Sequence, residues 1–397
     1  MSKFMLTDLK GGECPELQFE KHDGFLPDTK FGYNPLLNEY RNQIDNISAE
    51  NWKKVRWYIN DYDFQVKDPI INRAFYKYWE IINEFEIFED FCETDIILHM
   101  AEAPGGFIQG TNIYLQMETR PSTKGPQQSM DTDGFQLVTN KKAKKRDYIV
   151  YSISLNKDLP QYKMYNLPTY NKNVINKYVC ITYGKDNTGD INNFENTLLI
   201  QKMAKKNFYL ITGDGGFDEG IDFNNKEQLH YTLIMSEIRS ALFLQKPDGH
   251  FILKMFDIFT ETSIHLLYLL RLAYKEVWIY KPKTSRPTNS EKYIVCKYFC
   301  MDSNTLRGYM QILSHPKKSK APCFTLFTSV PDNFIESIKK INLEMVERQC
   351  VFLKAAIDLC KNNTFFETYD EVVLDLVLHR RNVFHDWETN YNLNAYV

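Results

Sequence analysis

The sequence lacks any long apolar run. None of its uncharged apolar stretches approaches the roughly 20 residues that a membrane-spanning helix needs. The first residues, MSKFMLTDLKGGE, also lack the apolar centre of a secretory signal peptide. We therefore expect an intracellular protein without a membrane partner.

Paired cysteines are missing as well. The eight cysteines are scattered at positions 14, 92, 180, 296, 300, 323, 350 and 360, and no two of them form a CxxC pair. Structural zinc sites need closely spaced ligands, and disulfide frameworks belong mainly to small secreted domains with little core. We expect neither here, and we predict no metal site.

The chain has little excess of charge of either sign, because 48 Lys and Arg residues stand against 51 Asp and Glu residues. This balance excludes a polycation that coats nucleic acid, so any such contact must use a local basic surface. The 397 residues, of which 43% are hydrophobic, suffice for one large α/β domain with extensions or for two domains.

Composition and periodicity divide the chain into three parts. Residues 1–65 are mostly polar with weak periodicity, which predicts an N-terminal arm. Residues 66–305 carry regular strand and helix patterns, interrupted by a predicted loop insertion at 117–148. Residues 306–397 predict a helical C-terminal extension, with a long helix from Pro331 to about Lys361 and a second one at 368–382.

The central part alternates strand and helix patterns. The strand patterns are Tyr148–Leu155, Phe208–Gly213, Phe251–Phe256, Val277–Tyr280 and Lys292–Phe299, and the helical ones are 226–246 and 260–274. Such alternation predicts a mostly parallel sheet with helices on both faces. The loop Lys281–Ser290 is too short for a crossover helix, so the last two strands should be antiparallel.

A glycine-rich loop follows an early strand of this central part. The apolar run Ile96–Met100 enters the sequence AEAPGGF at Ala101–Phe107, and a helical pattern begins at about Phe107. A strand, a glycine turn and a helix together accommodate nucleotide-like ligands, because backbone N–H groups and close approach are both available there.

Four charged residues accompany this loop: Lys77, Asp214, Lys254 and Glu291. Lys254 is the strongest anomaly, because it interrupts an apolar strand in which an unpaired ammonium is costly. Taken singly, each has a simpler explanation: a solvated helix face, an Asp-Gly turn, an edge-strand lysine that reaches water, and a surface ion pair, respectively. Their order along the chain is hard to obtain by chance.

Together the four residues suit methyl transfer to a ribose hydroxyl. Lys254 acts as a base only if its pKa falls from about 10.4 towards neutrality. Burial and a second lysine lower that pKa while two carboxylates raise it, and the sequence leaves the outcome open. We assign Lys254 as base or hydroxyl-orienting group, Lys77 as the group that tunes it, Asp214 as the one that steers it, and Glu291 as the holder of the network.

Several segments resemble the FtsJ/RrmJ-type ribose 2′-O-methyltransferases, and within them the eukaryotic and large-DNA-virus enzymes that methylate the first transcribed nucleotide of capped mRNA. These segments are NRAFYK (72–77), APGGF (103–107), YGKDNTGDI (183–191), GDGGFDEG (213–220), GHFILKMFDIFT (249–260) and KPKTSRPTNSEKYIVCK (281–297). The resemblance implies an α/β, Rossmann-like fold dependent on S-adenosyl-L-methionine, with a mostly parallel sheet, an antiparallel hairpin and a C-terminal helical extension.

The resemblance also implies roles for individual residues. The catalytic tetrad would be Lys77, Asp214, Lys254 and Glu291. The positions that match contacts to S-adenosyl-L-methionine are Asn72, Ala101, Glu102, Ala103, Pro104, Gly105, Gly106, Phe107, Asp190 and Ile191. Asn224 matches a substrate-contacting position, and Arg286 is a further candidate for substrate binding.

One position departs from the family pattern. The family usually has an aspartate at the end of the first strand, five residues before the loop proline. Here that position is His99, and Glu102 supplies an acid inside the loop instead. This departure affects how the cofactor is held.

The function implied by the resemblance is a cap-specific mRNA 2′-O-ribose methyltransferase that converts cap-0 to cap-1. Its partner would be capped mRNA, with other capping enzymes or RNA polymerase as further candidates. An rRNA or tRNA 2′-O-methyltransferase is the alternative with the same chemistry, and a non-catalytic RNA-binding or polymerase-associated subunit is the alternative without it. The location would be the cytoplasm, a viral factory or a virion for a viral protein and the nucleus for a cellular one, and we lean towards a large-DNA-virus origin.

Overall fold

The computed structural model describes residues 2–6, 15, 17, 20–21, 26–64, 69–117, 148–216, 224–314 and 324–393. The predicted loop insertion at 117–148 therefore lies outside the described residues, apart from its two end positions.

The described elements are those of an α/β protein. The strands are β1 (Ser2–Met5), β2 (Glu20–Lys21), β3 (Ile96–Met100), β4 (Ile149–Ile153), β5 (Val179–Thr182), β6 (Phe208–Gly213), β7 (Gln245–Met255), β8 (Tyr274–Lys281), β9 (Lys292–Phe299) and β10 (Phe324–Thr325). The helices are α1 (Pro35–Ile44), α2 (Ala49–Tyr58), α3 (Arg73–Glu84), α4 (Gly106–Met117), α5 (Phe194–Ala204), α6 (Lys226–Leu244), α7 (Glu261–Ala273), α8 (Ser303–Leu313), α9 (Asp332–Cys360), α10 (Asn363–Glu367) and α11 (Tyr369–Asn390).

Eight of the strands form one sheet in the order β1-β8-β9-β7-β6-β3-β4-β5. From β5 to β7 all neighbours are parallel, whereas β7–β9, β9–β8 and β8–β1 are antiparallel. The predicted fold class, a mostly parallel sheet that ends in an antiparallel hairpin, is confirmed. The loop between β8 and β9 holds no helix, as its length predicted.

The central strands are buried on both faces. Leu98, Ile211 and Leu253 belong to a hydrophobic cluster on one face of the sheet, and their neighbours along the strands belong to a second cluster. Strands with both faces covered are apolar throughout rather than alternating. This explains why the sequence shows continuous apolar runs there, and why a charge inside one of them is informative.

The predicted N-terminal arm contains more regular structure than its composition indicated. β1 pairs with β8 at the edge of the sheet, and α1 and α2 pack against α9. Both helices have only ten residues, and helices this short take most of their stability from tertiary packing. Weak local periodicity therefore could not reveal them. The division of the chain at 65 and 305 stays a prediction.

The predicted helical extension is present and longer than expected. α9 begins one residue after Pro331, which caps the helix rather than occupying its first turn. α11 runs to Asn390, eight residues beyond the predicted end at 382. Among the residues that the structure describes, no helix is long and apolar enough to cross a membrane.

A buried ion pair ties the N-terminal helices to the sheet. Arg41 of α1 binds Asp257, just after β7, through two contacts of 2.8 and 3.1 Å. The side chains of Arg41 and Asp257 are 6% and 5% exposed. Removing one partner of a buried pair leaves the other charge without compensation.

We predict that Arg41→Leu lowers the free energy of unfolding by about 3–5 kcal/mol, because Asp257 then stays buried and unpaired. Urea unfolding would measure the change. As a control, Lys354→Gln breaks an exposed pair with Asp358 one helical turn away, and it should cost at most about 0.5 kcal/mol. A loss below about 1 kcal/mol for Arg41→Leu would contradict the assignment.

Candidate active site

Three strand ends meet at the carboxyl edge of the sheet. Gly213 at the end of β6 pairs with Met100 of β3 on one side and with Leu253 of β7 on the other. The residues that follow these positions are Ala101, Asp214 and Lys254. Parallel pairing thus brings together the glycine-rich loop and two of the four predicted catalytic residues, at the edge where open α/β sheets bind ligands.

Lys254 contacts Asp214 twice. Its Nζ donates to the Asp214 backbone carbonyl at 2.6 Å and lies 3.3 Å from the Oδ1 of the same residue. Tyr293, which faces Lys254 across β7 and β9, donates its hydroxyl to the same Oδ1 at 3.0 Å. β7 lies between β6 and β9, so the alternative of an edge-strand lysine that reaches water is wrong.

Lys77 and Glu291 form the second pair. Lys77 Nζ lies 2.7 Å from Oε1 and 2.9 Å from Oε2 of Glu291, and the Ser285 hydroxyl donates to Oε1 at 2.8 Å. The two side chains are only 15% and 11% exposed. The simpler interpretations as a solvated helix face and a surface ion pair therefore do not hold, because both charges are largely withdrawn from water.

The structure resolves the direction of the Lys254 pKa. Burial alone would lower it, but Asp214 and Glu291 outweigh burial and raise the pKa above its usual value. For Glu291, burial alone would raise the pKa, yet Lys77 and Lys254 hold it at about 2. In the ligand-free protein Lys254 is accordingly an ammonium and Glu291 a carboxylate.

A cavity of about 250 Å³ opens beside this cluster. Its lining combines backbone and apolar side chains with the Asp190 and Asp214 carboxylates: Ala101, Ala103, Ser154, Leu155, Leu167, Pro168, Gly189, Asp190, Ile191, Asp214, Gly215, Gly216, Leu233 and Lys254. Gly189 allows a close approach, because a Cβ there would lie 1.8 Å from the Ser154 carbonyl oxygen. The cavity offers apolar walls, the Asp190 carboxylate as an acceptor for hydroxyl groups, and the Asp214 carboxylate next to Lys254. These features fit the apolar, hydroxyl-bearing and charged parts of S-adenosyl-L-methionine.

The predicted cofactor-contacting residues divide into two sets. Four of them, Ala101, Ala103, Asp190 and Ile191, line this cavity. The others, Asn72, Glu102, Pro104, Gly105, Gly106 and Phe107, do not line it. Asn72, for example, caps α3 with its Oδ1 and packs against Gly106, where a Cβ would lie 2.2 Å from that oxygen.

His99 and Glu102 show what the departure from the family pattern does. The fully buried His99 contacts the hydroxyls of Thr212 at 2.8 Å and Thr111 at 3.0 Å, and burial lowers its pKa to about 3. Glu102 accepts the Phe107 N–H at 2.5 Å and leaves its Oε2 buried without a partner. Burial, with Asp214 adding to it, raises the pKa of Glu102 well above its usual range.

A wide groove of about 340 Å³ lies next to the cofactor cavity, and Lys254 and Gly216 line both. The groove carries five basic side chains and one acidic one, with two aromatic rings: Arg41, Arg56, Lys226, Lys254, Arg286, Glu291, Trp52 and Phe256. The groove is a local basic surface of the kind that a contact with nucleic acid would need in a protein of balanced net charge. Arg286 lines this groove, whereas Asn224 does not line it and donates to Asn42 at 2.7 Å. The predicted role of both residues in substrate binding stays a prediction.

Sequence analysis missed a buried acid behind the cluster. Glu237 of α6 is fully buried, accepts the Gly215 N–H at 3.2 Å and leaves its Oε2 without a partner. A Cβ on Gly213 or Gly215 would lie within 2.7 or 2.8 Å of its carboxyl group, so this turn requires glycine. Burial raises the pKa of Glu237 to about 8, although Lys254 lowers it. The signal was a charged residue inside the apolar helix sequence TLIMSEIRSALF.

We predict that the contribution of Glu237 to the free energy of unfolding falls as pH rises from about 5 to 8, because the folded protein keeps a proton on Glu237 that the unfolded chain has already lost. Glu237→Gln keeps an acceptor for the Gly215 N–H. In this variant the contribution of Glu237 to the slope of unfolding free energy against pH should vanish. Urea unfolding at several pH values measures it, with the exposed Glu347→Gln as the matched control. An unchanged slope in Glu237→Gln would contradict the account.

Comparison with known proteins places the site in a family. The FtsJ-like methyltransferase model matches residues 70–299, more than half of the chain. Cap-specific mRNA (nucleoside-2′-O-)-methyltransferase 1 of Danio rerio is 37% identical over 132 residues, which are 32% of this chain and 16% of that protein. Cap-specific mRNA (nucleoside-2′-O-)-methyltransferase 2 is 29% identical over 66% of this chain and 32% of the Mus musculus protein, and 26% identical over 80% of this chain and 40% of the Danio rerio protein.

The match therefore spans less than half the length of these curated relatives. The family-model match over residues 70–299 does include the segments on which the resemblance rests, from Asn72 to Lys297. The predicted resemblance is confirmed: the chain belongs to the FtsJ-like methyltransferase family, whose methyl donor is S-adenosyl-L-methionine.

Proposed function

We propose that this protein methylates the ribose 2′-hydroxyl of the first transcribed nucleotide of capped mRNA, converting cap-0 to cap-1. The observation that carries the proposal is that a cofactor-sized cavity and a basic groove meet at Lys254. A nucleotide in the groove would present its ribose to a methyl group in the cavity at the residue where the two spaces join.

The tetrad would act mainly by alignment. S-adenosyl-L-methionine supplies an electrophilic methyl group, so the ribose oxygen must be held in line with it. The ribose oxygen would bond to that methyl group as the bond from methyl to sulfur breaks, with S-adenosylhomocysteine as the leaving group and the hydroxyl proton passing to water. Lys254 Nζ is charged in the free protein and is anchored by the Asp214 carbonyl at 2.6 Å. We therefore assign Lys254 the orienting role, as donor to the ribose oxygen, rather than that of a ready base.

The second pair would hold this arrangement in place. Glu291 binds Lys77 and also raises the pKa of Lys254 through space. Asp214 fixes Lys254 and receives the hydroxyl of Tyr293. Fixed charges of this kind in a poorly hydrated site stabilise a transition state without reorganising during the reaction.

The groove suits the 5′ end of an RNA. Arg56, Lys226 and Arg286 would neutralise phosphates, and log affinity for RNA should then fall linearly with log salt. Methylated guanine is cationic and favours stacking on aromatic rings. Of the many aromatic residues in the chain, the groove singles out Trp52 and Phe256.

The relatives named above are cap-specific mRNA 2′-O-methyltransferases, and this supports capped mRNA over structural RNA as the substrate. The tail helix α9 contributes Gln349 to the groove. In this proposal the C-terminal part of the chain helps to form the substrate site.

Methyl transfer from labelled S-adenosyl-L-methionine to capped and uncapped RNAs of identical sequence tests the proposal. We predict label only on the first-nucleotide ribose of the capped RNA, located by nuclease digestion and mass analysis. Lys254→Ala should lower kcat by at least about 100-fold, because the ribose oxygen loses its orienting donor.

Cofactor binding is the control for that variant. Lys254→Ala should still bind S-adenosyl-L-methionine, which shows that the fold and the cavity persist. Label on internal riboses regardless of the cap would shift the assignment to rRNA or tRNA. Cofactor binding without transfer to any RNA would instead favour a non-catalytic subunit.

A further inference from the structure

A further cavity, of about 200 Å³, lies behind the loop that carries Glu291. Its walls are this loop, the start of β9, the turn after α2 and one side of α9. It shares Asn289, Ser290 and Gln349 with the RNA groove, but none of the four tetrad residues lines it. The cavity is thus a neighbour of the groove with a largely different lining.

Positive charge dominates its lining. Lys292 is 5% exposed and donates to the Phe256 carbonyl, and within the described part of the chain no carboxylate oxygen pairs with it. Lys281 donates only to neutral oxygens, two on Asn289 and the carbonyl of Glu291. Burial lowers the pKa of Lys281 to about 7, although Glu291 raises it, and lowers that of Lys292 to about 8, although Asp257 raises it. A further anion in the cavity would therefore stabilise both ammonium groups.

The lining holds two carboxylates, those of Asp61 and Asp257, against four basic side chains. Asp257 is bound by both terminal nitrogens of Arg41, at 2.8 and 3.1 Å. Asp61 is 54% exposed and lies 3.7 Å from His379. Two more cations, Lys283 and the exposed Arg348, also line the space. The balance of free charge in the cavity is therefore positive.

An unpartnered donor completes the polar part of the lining. Asn60 is 2% exposed, and its Nδ2 has no acceptor among the described residues, while its Oδ1 accepts the Tyr62 N–H at 3.3 Å. A buried donor without an acceptor is costly, and an oxyanion in the cavity would satisfy it. Charge-assisted hydrogen bonds of this kind are the stronger ones.

The remaining lining is aromatic and apolar. Tyr62, Phe259 and Phe352 contribute rings to the same cavity. Cations, a free amide donor and aromatic faces together suit a phosphate group attached to a flat, partly apolar body. From this combination we propose that the cavity is a second ligand site, which takes a phosphate-bearing small molecule of mononucleotide size. The proposal goes beyond methyl transfer and does not depend on it.

Calorimetric titration of the full chain tests this site, with S-adenosylhomocysteine present in excess so that the cofactor cavity is filled. The probes are inorganic phosphate, uridine 5′-monophosphate and uridine. We expect phosphate to bind, the nucleotide to bind more tightly, and uridine to give no measurable heat. Asn60→Leu and Arg348→Gln should each weaken phosphate and nucleotide binding about tenfold, because each removes a donor to the anion.

Lys226→Gln is the matched control, because Lys226 lines the RNA groove and not this cavity. It should leave binding of all three probes unchanged. No binding of phosphate or nucleotide at millimolar concentration would overturn the proposal. Binding that Lys226→Gln weakens while Asn60→Leu and Arg348→Gln leave it intact would overturn it as well, since the anion would then sit in the groove. Arg348 is exposed, so its variant remains informative even if Asn60→Leu fails to fold.

Discussion

The contact between Lys254 and Asp214 is the constraint around which this site is built. An ammonium inside a central strand is tolerable only with a partner, and the partner must come from the neighbouring strand end. Parallel pairing of β6 with β7, with Gly213 opposite Leu253, supplies it. Tyr293, from the antiparallel neighbour β9, donates to the same carboxylate. β7 is the strand at which pairing changes from parallel to antiparallel. Its parallel neighbour β6 places Asp214 beside Lys254, and its antiparallel neighbour β9 places Tyr293 on the same carboxylate.

Much of the surrounding architecture follows from keeping these charges compensated. Glu291 reaches Lys77 and acts on Lys254 through space, while Glu237 lies behind the glycine turn that carries Asp214. That turn needs glycine because α6 approaches so closely. The cofactor cavity and the basic groove then meet at Lys254, so one side chain faces both spaces. Alignment of two ligands, rather than a reactive side chain, is what this geometry provides.

The sequence predicted the sheet and the hairpin because their signals are local, whereas the catalytic tetrad rests on the order of its residues and on the family resemblance. Lys254 interrupts an apolar strand and Asp214 follows one, while the alternation of strands and helices predicts a mostly parallel sheet. The short N-terminal helices escaped prediction because α9, about 300 residues away, stabilises them. Glu237 was not predicted as part of the site because a charged residue inside a helix has many explanations that involve no function. The direction of the Lys254 pKa could not be predicted either, since it depends on distances to Asp214 and Glu291 that only the folded chain defines.

The central claim is that Asp214 and Glu291 keep Lys254 charged in the ligand-free protein. Nuclear magnetic resonance titration of lysine labelled with ¹³C at Cε tests it most directly, with the Lys254 signal assigned by its absence in Lys254→Arg. The account predicts a Lys254 pKa above the usual lysine value of about 10.4, and a lower one in Glu291→Gln. A pKa near neutrality in the unmutated, ligand-free protein would contradict it, and would make Lys254 a ready base instead of an orienting ammonium.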